Sequence, residues 1–490
     1  METQSPPYRF RRDTLLVFLL LAFAYGYFFH NSGWNGNSRL GTIMAVVHEH
    51  RLEIDRFHAW GPTQTSDKAE FNGHFYSDKA IGVALLGVVA YFPFSLIARL
   101  FSPSINVDTI RHYLTFVVVG LPSALAGSLF YRSCRDASGS RARALLVTLA
   151  YALGTMAFAY SALLFGHQLA ASLLLVAFFL AMRVRRSGGI AGAALSFGLG
   201  LALGLSLVTD YSSLLLVIIT AVYALRALRR GSAAHALKSV GIASIGALIP
   251  IGLQLANNAV CFGSPFRNAY ALHAVPGYQE GIHQGIMGIT LPRLDVLFYL
   301  TFHPARGLFW QSPVLLAACA GFAWMLRDRA WRDEAVVALC AAAGYLVVNS
   351  GYFCWWGGWS FGPRFLIPML PFLAFGLVFL PARFQPSVIA LAVVSALQML
   401  VYTAQEPIIP ADLTDIASRP AFHYWPLGAS LGALARGRWG PNLGASVGLR
   451  GVMALAPFIA GVALLTRGIL ARATPTESAE VENGGRGETP

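Results

Sequence analysis

Charge is what this sequence has least of. Only 12% of its 490 residues are Asp, Glu, Lys or Arg, 56% are apolar, and the mean hydropathy is +0.57. A water-soluble domain carries roughly a quarter of its residues as charges, so the composition excludes one of this size and makes lipid the solvent. Lysine is nearly missing: Lys68, Lys79 and Lys238 are the three in the chain, and the formal charge of +13 is therefore carried by arginine. The arginines stand in short clusters at the ends of apolar runs and not along one face, which excludes a nucleic-acid surface and indicates membrane anchoring. Cysteine is scarce too. Cys134, Cys261, Cys319, Cys340 and Cys354 show neither C-x-x-C nor zinc spacing and are read as unpaired packing residues. The run Thr14 to Phe29 follows Arg9, Arg11 and Arg12 but has no small-residue cleavage site after it, so it is expected to stay as a first helix.

What is present is a series of apolar runs of membrane-spanning length. They predict an all-α, polytopic transmembrane bundle of about 12 crossings, near 14–30, 110–131, 145–162, 166–183, 190–207, 211–226, 238–258, 310–326, 335–350, 364–381, 386–403 and 450–467. The arginines fall in the links 132–143, 183–186, 226–230 and 327–332 and in the tail after Arg467. The positive-inside rule puts these links, and with them both termini, in the cytoplasm. One apolar stretch, Ala80 to Leu100, receives no crossing. Tyr91-Phe92-Pro93-Phe94 interrupts it, and proline removes a backbone donor, so a re-entrant or outer-leaflet segment is expected near 80–100. A full crossing there would reverse every later arginine cluster. The chain then reads as one transmembrane domain, 1–472, with an outer loop 31–109, further outer segments at 259–309, 351–363 and 404–449, and a disordered cytoplasmic tail 473–490.

A chain so poor in charge is informative where it concentrates it. Glu49, Glu53, Asp55, Asp67, Glu70 and Asp78 place six of the 23 carboxylates in one short stretch of the first outer loop, with two of the three lysines. Trp60, Phe71, Phe75 and Tyr76 are interleaved with them. Two readings stand: a sugar site, where rings stack on apolar sugar faces and a carboxylate takes a hydroxyl proton, or a solvated loop with aromatics resting at the interface. Arg306 and Arg364 precede apolar runs on the outer side, against the positive-inside bias, and call for an anion, either a lipid phosphate or an ordinary phospholipid headgroup. Trp355, Trp356 and Trp359 fit an interfacial belt or a sugar platform. His167 reads as an interfacial histidine or a substrate contact, and Asp210, in Thr209-Asp210-Tyr211-Ser212, as a helix cap.

Five segments carry a resemblance: NGHFYSDKAIG (72–82), LFGHQLAA (164–171), NNAVCFGSPF (257–266), ARGLFWQSPVLL (305–316) and WWGGWSFGPRFLIPMLPFL (355–373). In this order and on outer turns they resemble the GT-C superfamily of polyprenyl-phosphate-sugar-dependent glycosyltransferases, in particular bacterial relatives of the protein O-mannosyltransferases and of the lipid A aminoarabinose transferase. The resemblance implies inverting transfer at the outer face of a bacterial plasma membrane, from a polyprenyl-phosphate-linked sugar to a lipid, glycan or protein acceptor. It implies a first-loop carboxylate as general base, here Asp67 before Asp55. The family's acid usually follows the first helix closely, where this chain has Asn37-Ser38-Arg39. Lys79 corresponds to a lysine near the lipid phosphate, in a turn that here lacks the relatives' prolines, and Arg306 and Arg364 are its expected companions. Base and lysine are expected across the anomeric carbon from each other. Asp78, Tyr76, His167 and Trp356 are the expected substrate contacts. No cofactor and no tightly held metal are expected, since one histidine beside scattered acids is not a ligand set. The alternative is a transporter or flippase of lipid-linked glycans, although neither an internal repeat nor a mid-depth charge apart from Asp210 accompanies it.

Overall fold

The computed structural model describes residues 12–101, 106–409 and 425–471; the tail 473–490 lies outside them. The chain is an all-helical, multi-pass membrane protein. Among the described residues seven helices are long and apolar enough to cross a bilayer: 107–138, 166–186, 211–228, 233–262, 332–350, 382–405 and 451–470. Shorter apolar helices, among them 193–209 and 314–325, fill the spaces between them.

The chain opens with α1 (Arg12–Gly26), which packs on α5 (Leu121–Ser138) and on the last helix, Ala456–Leu470. It stops short of residue 30 because Phe28 and Phe29 pair with Asn442 and Pro441 instead. The segment expected as a first outer loop is more ordered than its sequence suggested. It holds α2 (Gly33–Glu49) and a hairpin of β1 (Lys68–Phe71) and β2 (His74–Ser77). The hairpin turns on Asn72-Gly73 with φ of 52° and 80°, the pairing of residues that a tight turn of left-handed backbone needs.

Next comes α3 (Gly82–Phe101), which runs unbroken through Pro93. The missing proline N–H frees only the carbonyl of Val89, a residue 68% exposed, so the helix loses little. Gly82 abuts Thr209, and Ala90 accepts a hydrogen bond from Tyr113 (3.1 Å), two residues beyond Arg111, which donates to Pro62 of the outer loop. These contacts keep its first three turns at the end of the bundle that carries the outer loop. Val89, Phe92, Leu96 and Leu100 form an exposed apolar stripe along it, a face suited to lipid.

From α4 (Val107–Thr115) a π turn at Phe116–Gly120 leads into α5. The run 145–162 divides into α6 (Arg141–Ala152) and α7 (Ala157–Ser161). Then follow α8 (Gly166–Arg186), α9 (Ala193–Thr209), α10 (Leu214–Leu228) and α11 (Ala233–Phe262). After short outer helices, α12 (Pro276–Ile282), α13 (Leu294–Thr301) and α14 (Leu308–Gln311), Pro313 interrupts the run before α15 (Val314–Met325), and α16 (Arg332–Ser350) returns. The run 364–381 is not one helix. Pro368 and Pro371 divide it into 3-10 turns around α17 (Leu370–Ala374), and α18 (Gln385–Gln405) follows.

Helices α9 and α11 meet closely through small residues. A Cβ on Gly200 would overlap the Ala243 carbonyl, and one on Gly246 would overlap that of Phe197. Gly252, on the same α11, faces open space. Gly200→Leu should therefore destabilise the protein by about 3 kcal/mol, the upper range for overpacking, and Gly252→Leu should not. Thermal unfolding in detergent reads the difference, and equal melting of the two variants would show that this contact does not hold the bundle.

The arginine pattern makes a second prediction, for a cysteine-free background. An impermeant thiol reagent added outside should modify cysteines placed at Gln64 and Gly277 and spare those at Ser138 and Gly231. Modification at Ser138 would mean that residues 80–100 cross fully.

A candidate active site of buried ions beside an aromatic groove

The hairpin assembles the centre of the site. Its register pairs Lys68 with Ser77, so the residues just outside that pair, Asp67 on one strand and Asp78 and Lys79 on the other, emerge side by side. Lys79 Nζ lies 2.8 Å from Asp67 Oδ2 and 2.7 Å from Asp78 Oδ2, as a bridge between two carboxylates. Exposure of the three side chains is 10%, 21% and 1% for Lys79, Asp67 and Asp78. His273 Nε2 stands 3.7 Å from Asp78 Oδ2, brought there by pairing of Ala69 with His273 along the hairpin edge. Ser38 of α2 is held to Ser77 by a 2.7 Å hydroxyl contact, and Arg39, one residue on, hydrogen-bonds Asn35.

Three more elements complete a cavity of about 100 Å³. His167, at the first turn of α8, is hydrogen-bonded through Nδ1 to Asp210. Asp210 also accepts from the Ser212 amide at 3.0 Å, the cap its sequence suggested. Arg364 enters from the loop after α16, with its guanidinium over the rings of Phe165 (5.3 Å) and Phe365 (5.2 Å). Its Nε is buried and has no hydrogen-bond partner among the described residues. Gly357, at φ 74°, makes room for it: a Cβ there would come within 3.0 Å of that Nε.

Electrostatics decide the protonation states. Burial pushes the Asp67 carboxyl up, but the Lys79 ammonium, with Arg364 and His273 behind it, pulls harder and leaves it below 3.8. Burial likewise lowers Lys79, and Asp67 and Asp78 together return it above 10.5. Asp67 and Lys79 are both charged at neutral pH. Among the described residues no three His, Cys, Asp or Glu side chains are grouped to hold a metal.

Asp67, Asn35, Tyr278 and Arg364 also line a second, wider cavity of about 550 Å³. Its walls are aromatic: Trp34 and Trp359 stack at 6.1 Å and 12°, and Trp356 and Phe165 stand beside them. At its far side is Glu406, whose carboxyl burial pushes up to about 7 and whose Oε1 has no partner among the described residues.

Of the residues singled out in the sequence, Asp67, Asp78, Lys79, His167, Asp210 and Arg364 converge on the ionic cavity, and Trp356 and Trp359 join the groove. The others do not. Asp55 binds His74 (2.7 Å) and the Phe75 amide (2.7 Å) on the solvent side of the hairpin. Tyr76 packs edge-on against Phe262 and reaches toward Glu53. Arg306 is 1% exposed and lines neither cavity. It donates to the carbonyls of Gly358 (2.7 Å), Ser360 and Gly362 (3.3 Å), fixing the loop that carries Trp359. A buried guanidinium whose two terminal nitrogens are both held by backbone carbonyls is a brace and not an anion site. The separation expected between base and lysine is also absent, because the hairpin register puts Asp67 and Lys79 in contact. Arg39, His273, Tyr278 and Glu406 were not foreseen. None lies in a motif, although Arg39 stands in the Asn37-Ser38-Arg39 stretch where the family's acid was sought.

Fold and site together define a multi-pass membrane protein with an ionic cavity at one end of its bundle. No family model matches the chain, and no curated protein matches it. Among solved structures it is similar to ArnT from Cupriavidus metallidurans bound to undecaprenyl phosphate. The identity is 15% and the TM-score 0.49, over 93% of this chain and 74% of that one. The apo form of ArnT gives 16% and 0.48 over the same shares. The archaeal oligosaccharyltransferase AglB from Archaeoglobus fulgidus, in complex with an inhibitory peptide and a dolichol-phosphate, gives 12% and 0.46, over 83% of this chain and 57% of AglB. Both are GT-C superfamily members.

Proposed function

We propose that this chain is a GT-C-type glycosyltransferase that moves a sugar from a polyprenyl-phosphate donor to an acceptor at the outer face of a bacterial plasma membrane, with both its termini in the cytoplasm. The observation that carries the proposal is the position of Asp67, a carboxylate shared by a cation-rich cavity and an aromatic groove and held ionised by Lys79. The aromatic groove suits the apolar faces of sugars and a hydroxyl-bearing acceptor. The unsatisfied Arg364 guanidinium suits a phosphate.

In the reaction, Asp67 takes the acceptor hydroxyl proton as that oxygen bonds to the anomeric carbon. The bond from that carbon to the phosphate oxygen breaks, and its electron pair leaves with the lipid phosphate. Attack and departure on opposite sides invert the anomeric centre. Arg364 stabilises the departing charge, and Lys79 keeps Asp67 anionic in a buried setting.

Proteoliposomes given a panel of polyprenyl-phosphate sugars should transfer one of them and release lipid phosphate. Movement of the intact lipid-linked sugar across the bilayer, with no sugar cleaved, would replace this reading by that of a flippase.

A further inference from the structure

At the opposite end of the bundle from Asp67, the last turn of α10 and the first turn of α16 part to leave a cleft of about 500 Å³. Five arginines, Arg185, Arg226, Arg229, Arg230 and Arg332, line it against a single carboxylate, Asp333. That carboxylate is already engaged, 3.3 Å from Arg185 and 3.3 Å from Arg230, and Arg185 also binds the buried Glu334 at 2.8 Å. The guanidinium groups of Arg226, Arg229 and Arg332 have no hydrogen bond or ion pair among the described residues. Three uncompensated guanidinium groups at one mouth repel each other and call for an anion.

The other wall of the cleft says what kind of anion. Ile218, Val222 and Val336, about half exposed, descend from the arginines along α10 and α16, with Cys340 below them. A free phosphate would cover the arginines and leave this apolar slot bare. An amphiphile with an anionic head covers both, and basic pockets between membrane helices take such headgroups.

We propose that the cleft between α10 and α16 seats an anionic glycerophospholipid, its phosphodiester on Arg226, Arg229 and Arg332 and one acyl chain along Ile218, Val222 and Val336. The lipid straps together two helices whose far ends lead into the ionic cavity: α10 begins four residues after Asp210, and α16 ends at Ser350 ahead of Tyr352 and Cys354 of the cavity lining. The inference is independent of the transferase reading.

The test uses the full-length protein in a neutral detergent. Added dioleoylphosphatidylglycerol should raise its melting temperature more than dioleoylphosphatidylcholine does. In the Arg226→Gln, Arg229→Gln, Arg332→Gln variant the lipid should bind roughly a hundredfold more weakly, from about 1 kcal/mol for each basic residue at a headgroup. Val222→Trp, which fills the slot and keeps every charge, should abolish the difference between the two lipids and serves if the arginine variant does not fold. Native mass spectrometry should show one retained anionic lipid on the wild type and none on Val222→Trp. Equal shifts from the two lipids, an equal shift from inorganic phosphate alone, or full retention of the lipid by Val222→Trp would each overturn the proposal.

Discussion

Asp67→Asn is expected to lower sugar transfer by about 10² or more, the lower range for loss of a general base, and to leave donor affinity intact. Asparagine keeps the size of the side chain and removes its basicity. Lys79 is not orphaned by the change, because Asp78 Oδ2 remains 2.7 Å away, so the cavity keeps a paired cation. The same geometry sets the pH profile of the wild type. A base must be ionised, and Asp67 is held below 3.8, so turnover is limited by this group only as the pH falls through that depressed value, and it does not change across neutrality. A limb near the ordinary histidine range would assign the proton to another group. Asp55→Asn is the control: its partner His74 is exposed on the outside of the hairpin, and loss of such a pair is worth little. Full activity in Asp67→Asn and in the double variant with Asp55→Asn would remove the base from this loop.

How much of this could be read from the chain depends on whether the determining contact was local. The lipid setting, the helical class and most of the long spans follow from apolar runs and flanking arginines, because backbone in lipid must satisfy its own hydrogen bonds and a helix does so within one segment. The clustering of acids and lysines marked the first loop by composition, and the resemblance carried by 72–82 singled out Lys79 within it. Asp67 stood before Asp55 in the sequence, and the register is what parts them in space: Asn72-Gly73 is a local turn signal, and the hairpin it makes brings Asp67 beside Asp78 and leaves Asp55 outside. Arg306 was misjudged for the opposite reason. Its partners, Gly358, Ser360 and Gly362, are more than fifty residues away, and no spacing in the sequence distinguishes a guanidinium whose terminal nitrogens are held by carbonyls from one that makes no such bonds. Pro93 misled locally, since an exposed carbonyl lets a proline sit inside α3.

The contrast between Arg306 and Arg364 yields the other large expected effect. Arg364→Ala should weaken binding of the polyprenyl phosphate by about 1.5 to 3 kcal/mol, the range for a hydrogen bond to a charged group, or roughly 10- to 150-fold in Kd. Its guanidinium makes no hydrogen bond among the described residues and rests on two phenylalanine faces, so its removal breaks no internal polar contact. Arg364→Lys should recover only part of the affinity, because an ammonium lacks the planar fork and the stacking on Phe165 and Phe365. Arg306→Ala should behave differently. It strips donors from the buried carbonyls of Gly358, Ser360 and Gly362, so it should lower the melting temperature and loosen the Trp359 loop, with affinity falling only as the fold does. Lys79→Ala is a third case. It leaves Asp67 and Asp78 facing each other without their bridge, like charges in a buried space, so one carboxyl takes up a proton and turnover falls together with binding. Binding of polyprenyl phosphate in nanodiscs, measured beside thermal unfolding and turnover, separates the three: affinity and turnover at unchanged stability for Arg364, stability for Arg306, and for Lys79 turnover and affinity together with an acid limb of the pH profile moved upward. Unchanged affinity in both Arg364→Ala and Lys79→Ala would take the donor phosphate away from this cavity.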